Sequence, residues 1–334
     1  MTSTTSTPPT STSTGNIGSD CVTATPGKYG NVPISACNSY YNFNPEFAPA
    51  VAVTVLFGIL TIAHLVLAIM YRKKFCWVII MGATWEFVSF AAHAAGAHDQ
   101  QNIGLATSHQ ILFLLAPLWI NASVYMTFAR MVHYFLPDKK IWRIRGVSLA
   151  KYFVWADIVA FIVQAVGGIM VSPGSSPEII KTGINIYMGG IGLQEAFILC
   201  FIGLMVHFHR SALHLERVCI PVRDHSWRPI LYALYAVLVA ITVRIVYRIA
   251  EYAGGIKPSN PVPFHEVYSY ALDAFPMMVA ILLIAIFHPG RYLVGPDSEF
   301  IKVSRKEKKA IKMQKREEKK AEKLATKQSK QESV

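Results

Sequence analysis

Charge is scarce in this chain. Only 16% of its residues are Asp, Glu, Lys or Arg, against 53% hydrophobic, a balance that excludes an ordinary soluble domain and fits a membrane protein. The phosphate-binding motif GxxxxGK[ST] is missing, so ATP hydrolysis by this chain is not expected. No signal-peptide apolar core occurs in residues 1–46, and the first membrane run is expected to serve also as the insertion signal. The alternating pattern of a membrane β-barrel is lacking as well.

What is present is a series of long apolar runs, at 47–71, 75–97, 109–132, 149–171, 183–208, 229–250 and 266–288. Each is long enough to cross a hydrocarbon core of about 30 Å as a helix, the form in which a single segment satisfies its own backbone in lipid. The expected fold is an all-α integral membrane protein, a seven-transmembrane-helix bundle over residues 47–290. A disordered, extracellular Ser/Thr-rich segment is expected at 1–46 before it, and a basic cytosolic tail at 291–334 after it.

Lys and Arg fall mostly in alternate connections: Arg72, Lys73 and Lys74 in the first, Lys139, Lys140, Arg143 and Arg145 in the third, Arg210, Arg217, Arg223 and Arg228 in the fifth. The other side holds little more than Lys28, Lys181 and Lys257. The positive-inside rule then puts the N-terminus outside and the C-terminus in the cytosol. The formal net charge is +12, and residues 302–334 hold 13 Lys/Arg against 5 Glu. With no aromatic residue to stack bases, this tail is expected to meet anionic inner-leaflet lipid rather than nucleic acid.

The stretch "TSTTSTPPTSTST" has the composition of a disordered, O-glycosylated extracellular tract. Cys21 and Cys37 fall on the same oxidising side and are expected to form a disulfide.

Ionisable residues inside a bilayer cost about 2.5–3.5 kcal/mol each on insertion scales, so each one asks for a partner or a function. The sixth run ends "VRIVYRIAEYAGG": Arg248 lies about 40° around the helix from Arg244 and Glu251 about 20° on the other side, one stripe of charge. The second run carries Glu86 and His93, the fourth Asp157 and Gln164, the fifth Gln194 and Glu195. The seventh has Glu266 and, seven residues on, Asp273, with Pro276 placed to bend the helix.

Depth separates two groups. Arg130 and Asp157 lie in the inner half and are expected to clamp the third and fourth helices together. From mid-membrane outward, Glu86, Glu195, Glu251, Glu266 and Asp273 face Arg244 and Arg248. That surplus of carboxylates suits either inter-helix bracing by Arg244, Arg248, Glu251 and Glu266, or a pocket for an amine on a greasy molecule. In the second case Glu86, His93, Gln164, Gln194, Glu195 and Asp273 are the ligand-binding candidates. Small-residue runs, "MGGIG" and the pair at 167–168, would let helices approach or leave room for a guest.

The order of "GATWEFVSFAAH", "QILFLLAPLWINASVYMTFAR", "DIVAFIVQAVGG", "GGIGLQEAF", "RIVYRIAEYAGG", "HEVYSYALDAFPM" and "HPG" resembles the fungal lipid-translocating exporter family over about residues 40–292. The resemblance implies tolerance of toxic amphiphiles and movement of sphingoid bases at the plasma membrane, with no catalysis and no cofactor. The chain departs from the family at Ser89-Phe90 and His93, where a Gly-Tyr pair and an Arg are frequent; one intramembrane positive charge is thereby lost.

Two alternatives compete with a carrier. An intramembrane zinc amidase would use Ser89-x-x-x-His93, but the last run offers only His265 and His288 at its two ends, not a His-x-x-x-His pair. A lipid sensor shares the seven-helix topology, but "TFARMVHY" lacks Asp-Arg-Tyr, and the last run lacks both Asn-Pro-x-x-Tyr and a Lys for retinal.

Overall fold

The computed structural model describes residues 22–34, 36, 38–171, 176–218, 227–254, 260–295, 298, 300, 313 and 317. The expected disulfide of Cys21 and Cys37, the Ser/Thr tract and nearly all of the basic tail lie outside the described residues.

Among the described residues, seven spans are long and apolar enough to cross a membrane. They are α1 (Phe47–Tyr71), α2 (Trp77–His98), α3 (Ile103–Phe135), α4 (Gly146–Met170), α5 (Pro177–Arg217), α6 (Arg228–Ala253) and a composite seventh span. The last consists of α7 (Glu266–Ser269), a π-helical turn (Tyr270–Ala274), α8 (Phe275–Ile286) and α9 (Pro289–Tyr292).

Helices α3 and α5 outrun the apolar runs that announced them. Asn102 caps α3 by accepting a hydrogen bond from the Leu105 N–H, and Ser176 caps α5 through the Ile179 N–H with Pro177 in the first turn. Hydropathy registers the part of a helix that meets lipid; a capped helix continues into water. At about 1.5 Å per residue, the 41 residues of α5 reach roughly 60 Å, twice the hydrocarbon thickness.

Consecutive helices pack side by side, and α1 closes the ring against α8. In α3 and α6, 61% of the most apolar stretch is buried, against 17% in α1 and 22% in α4, so α3 and α6 form the interior. The peripheral helices turn large apolar side chains outward at helical spacing: Val55, Ile59, Ile62, Val66 and Ile69 on α1, and Trp155, Val159, Ile162, Val166 and Ile169 on α4. In water this arrangement would be inverted; in a bilayer it is what the solvent requires.

The seam between α4 and α5 is set by glycine. A Cβ at Gly167 would collide with the Tyr187 backbone nitrogen and lie 2.7 Å from the Gly183 carbonyl oxygen. One at Gly190 would meet the backbone of α4 at Gln164, 2.9 Å away, and at Ala160, 3.0 Å away. Gly168, Gly189 and Gly192 face open space. Within these small-residue runs, Gly167 and Gly190 therefore serve close backbone approach.

The segment read from sequence as disordered up to residue 46 has structure in its second half. Lys28–Gly30 form a 3-10 turn, the Gln100 N–H donates to the Tyr29 carbonyl, and Gln101 Nε2 donates to the Gly30 carbonyl. Asn44 accepts from both Asn31 and Gln100. These residues cap the α2–α3 connection because their polar groups find backbone and amide partners there.

Candidate functional site

The sixth helix aims its arginines at one carboxylate. Arg244 Nε pairs with Asp273 Oδ1, and Arg248 Nε lies 2.5 Å from Asp273 Oδ2. Residues four apart on α6 share a face, so both guanidinium groups reach the same acid. Arg248 Nη1 also lies 3.0 Å from Glu251 Oε2, one turn on, and Arg244 Nη2 donates to the Phe113 carbonyl at 3.2 Å. The Phe113 ring lies 5.6 Å from the Arg244 guanidinium and 5.1 Å from that of Arg248. Asp273, fully buried, sits in the π-helical turn just before Pro276. Proline has no N–H to donate and its ring crowds the preceding turn, which a widened turn relieves.

Two arginines and two acids thus neutralise one another, and Glu86 remains. Its side chain is 0% exposed, and neither carboxylate oxygen has a hydrogen-bond partner among the described residues. The charges that act on it are Arg244, Asp273 and Arg248. Helix α2 presents Glu86, Ser89, Phe90 and His93 on one buried face. Phe90 there stacks on Phe57 of α1 at 5.6 Å and meets Phe113 of α3 edge-on at 5.4 Å. Glu86 thus shares its helix face with Phe90 of this aromatic cluster, whose Phe113 lies beside the Arg244 and Arg248 guanidinium groups.

Toward the N-terminal end, a second layer is built on Glu266. Its Oε1 accepts from Tyr270 Oη at 2.8 Å and lies 2.7 Å from His93 Nε2, while its Oε2 accepts from the Glu46 N–H at 2.9 Å. The entry to α1, α2 and the seventh span are thereby tied at one carboxylate. The His93 and His109 rings stack at 4.3 Å, and Ser89 donates to the His109 carbonyl at 2.9 Å. Tyr41, outside the spans, covers His93; burial first, then the carboxylates of Asp99 and Glu266, push its phenol above the ordinary tyrosine value.

Several sequence-based assignments need correction. Arg130 does not clamp Asp157: Asp157 accepts from Asn121 at 2.9 Å and Tyr125 at 3.3 Å, whereas Arg130 donates to the Met126 carbonyl and lies 3.7 Å over the Phe75 ring. Asp157 sits level with residues 121–125 of α3, more than a turn from Arg130. Glu266 and Asp273 have different partners, His93 for the first and the two arginines for the second, being two turns or about 10 Å apart along the seventh span. Gln164 donates to Gln194 at 2.9 Å in the α4–α5 seam, and Glu195, half-buried, accepts from Thr242 at 3.2 Å. Gln164 and Gln194 thus join α4 to α5, and Glu195 joins α5 to α6, rather than reaching Glu86.

A family model for RTA1 like proteins matches residues 79–295. The chain belongs to the RTA1-like family. It is 42% identical over 295 residues to the Probable lipid transporter atnI of Emericella nidulans, covering 86% of this chain and 77% of that protein. It is 25% identical to the Sphingoid long-chain base transporter RSB1 of Saccharomyces cerevisiae, over 77% of this chain and 75% of the relative. To Protein RTA1 of the same yeast it is 24% identical, over 75% and 84% of the two chains. No solved structure matches. The RTA1-like region begins in α2 and takes in Glu86, both arginines and Asp273; α1, which supplies Phe57 and the entry at Glu46, precedes it.

Sequence reasoning missed the groups that complete the layers: Tyr270, Asn121 and Tyr125 as donors, His109 as a stacking partner, and the aromatic wall of Phe57, Phe90 and Phe113. Tyr270 was findable, being one helical turn from Glu266. The wall was not, since nothing in an apolar run says which phenylalanines meet.

Proposed function

We propose that this RTA1-like chain is a multi-pass transporter of amphiphilic lipids that carry an amine, with Glu86 as the group that receives the ammonium. One observation carries the reading: Glu86 is a wholly buried acid with no hydrogen-bond partner among the described residues, while the neighbouring charges have neutralised one another. An ionised carboxylate left unpaired away from water is costly by several kcal/mol, so this one takes up a proton or a cation. A sphingoid base or aminosterol supplies that cation on a long apolar body. The ammonium would sit at Glu86 against Phe57, Phe90 and Phe113, rings suited to a desolvated cation, and the chain would lie among the apolar helices.

On this reading, entry of the ammonium displaces the proton of Glu86, and release takes a proton back. The exchange leaves the buried charge unchanged and needs no nucleotide. Movement is toward the outer leaflet at the plasma membrane, with the cationic connections in the cytosol, and the cellular result is tolerance of such compounds. The names of the relatives from Emericella nidulans and Saccharomyces cerevisiae, a lipid transporter and a sphingoid long-chain base transporter, support this class of cargo.

The test is Glu86→Gln in proteoliposomes holding only this protein and a fluorescent sphingoid base. The amide keeps the shape but not the charge, and transport should fall at least tenfold with unchanged expression. Wild-type transport rates in Glu86→Gln would overturn the assignment, and binding without flux in the unmodified protein would make it a sensor.

A further inference from the structure

A feature at the opposite, cationic end of the bundle is not used by that function. The "HPG" turn at 288–290 leads into Arg291, and the first connection brings Lys73 beside it. Together with Met70, Tyr71, Gly290, Val294 and Gly295 they line a depression of about 560 Å³.

The depression is built by a chain of fitted contacts. The His288 ring stacks on Tyr71 at 4.9 Å, and His288 Nδ1 accepts from the Gly290 N–H at 3.1 Å, closing the turn. A Cβ at Gly290 would collide with the Tyr71 side chain, so only glycine lets Tyr71 settle there. Seated in this way, Tyr71 Oη accepts from Arg291 Nε at 3.0 Å. The bond fixes the guanidinium plane and leaves both Nη groups without a protein partner among the described residues. Across the depression Lys73 Nζ donates to Ser298 Oγ at 2.6 Å, and Tyr134 Oη holds the far wall through the Val294 carbonyl at 2.9 Å. Ile69 and Met70, 75% and 65% exposed, continue from the rim along α1 as lipid-facing surface.

We propose that this depression is a binding site for the headgroup of an anionic phospholipid. Arg291 offers a preorganised pair of donors to the phosphate, Lys73 adds charge, and the acyl chains run up α1 over Met70 and Ile69. A guanidinium held by its Nε and presenting both Nη groups matches phosphate geometry. The position, at the end of the bundle where Lys and Arg collect, is where anionic lipid would be met.

The full-length protein in detergent, titrated with short-chain phosphatidylserine, should melt about 5 °C higher, as expected of a ligand that binds only the folded state. Short-chain phosphatidylcholine and inorganic phosphate should each give less than half that shift. Arg291→Gln should lose most of the response, whereas Arg145→Gln, an exposed cation in the neighbouring connection, should keep it. Tyr71→Phe, which retains the ring on His288 but frees Arg291, should lose part of it; this variant decides the matter if Arg291→Gln fails to fold. An unchanged response in both Arg291→Gln and Tyr71→Phe would overturn the site. An equal loss in Arg145→Gln would reduce it to diffuse charge, and a full response to phosphate alone would remove the lipid.

Discussion

The α4–α5 seam and the layer where α2, α6 and the seventh span meet solve the same problem by opposite means. Helices in lipid gain nothing by hiding apolar surface from a solvent that is itself apolar, so they are joined either by close backbone contact or by polar pairs. The seam uses contact: Gly167 and Gly190 bring the backbones together, and its two buried amides, Gln164 and Gln194, bond to each other. The other layer uses charge, with Asp273 held by Arg244 and Arg248. Contact leaves nothing over. Charge does, because Glu86 stands beside a set already balanced without it, and the proposed role of Glu86 rests on that difference.

That contrast can be broken most severely at Asp273. Asp273→Asn leaves two buried guanidinium groups without their common acid, a loss of about 3–5 kcal/mol by analogy with other buried pairs; thermal unfolding in detergent should show it, and surface expression should collapse. At the seam, Gly167→Val should cost about 1–3 kcal/mol as an overpacking change, with transport per folded molecule unaltered. A smaller effect follows for Gln164→Leu, which orphans one amide: about 0.6–1.7 kcal/mol on the scale of intramembrane hydrogen bonds. Adding Gln194→Leu should recover part of it, as a double-mutant cycle would read. Glu86→Gln should change stability least of all, by no more than about 0.5 kcal/mol as for sites without a structural partner, and yet cut transport at least tenfold. A large destabilisation there would mean that Glu86 is one more brace.

Much of this was legible in the sequence. Apolar runs of membrane length gave the seven helices, because length and hydropathy are set by the bilayer and not by the particular fold. The stripe of Arg244, Arg248 and Glu251 was legible as a stripe, since helical periodicity fixes direction. Which acid it faces was not. Glu266 and Asp273 are a heptad apart, about 10 Å along the helix, and nothing in the sequence says that His93 stands opposite one and the arginines opposite the other. Arg130 and Asp157 shared a half of the membrane in sequence terms, but the actual partners of Asp157 are Asn121 and Tyr125. Depth can be counted along a chain; azimuth across helices cannot.

The π-helical turn at Tyr270–Ala274 has a consequence for how this chain tolerates insertion and deletion. A wide turn amounts to one extra residue lodged in a helix. Removing a single residue from an ordinary transmembrane helix rotates everything beyond it by about 100° and ruins its packing. Within 270–274 the same deletion would produce a more regular helix, and that regularity would swing Asp273 away from its arginines. In this bundle the irregular turn is the conserving element, and the straight helix would be the lesion.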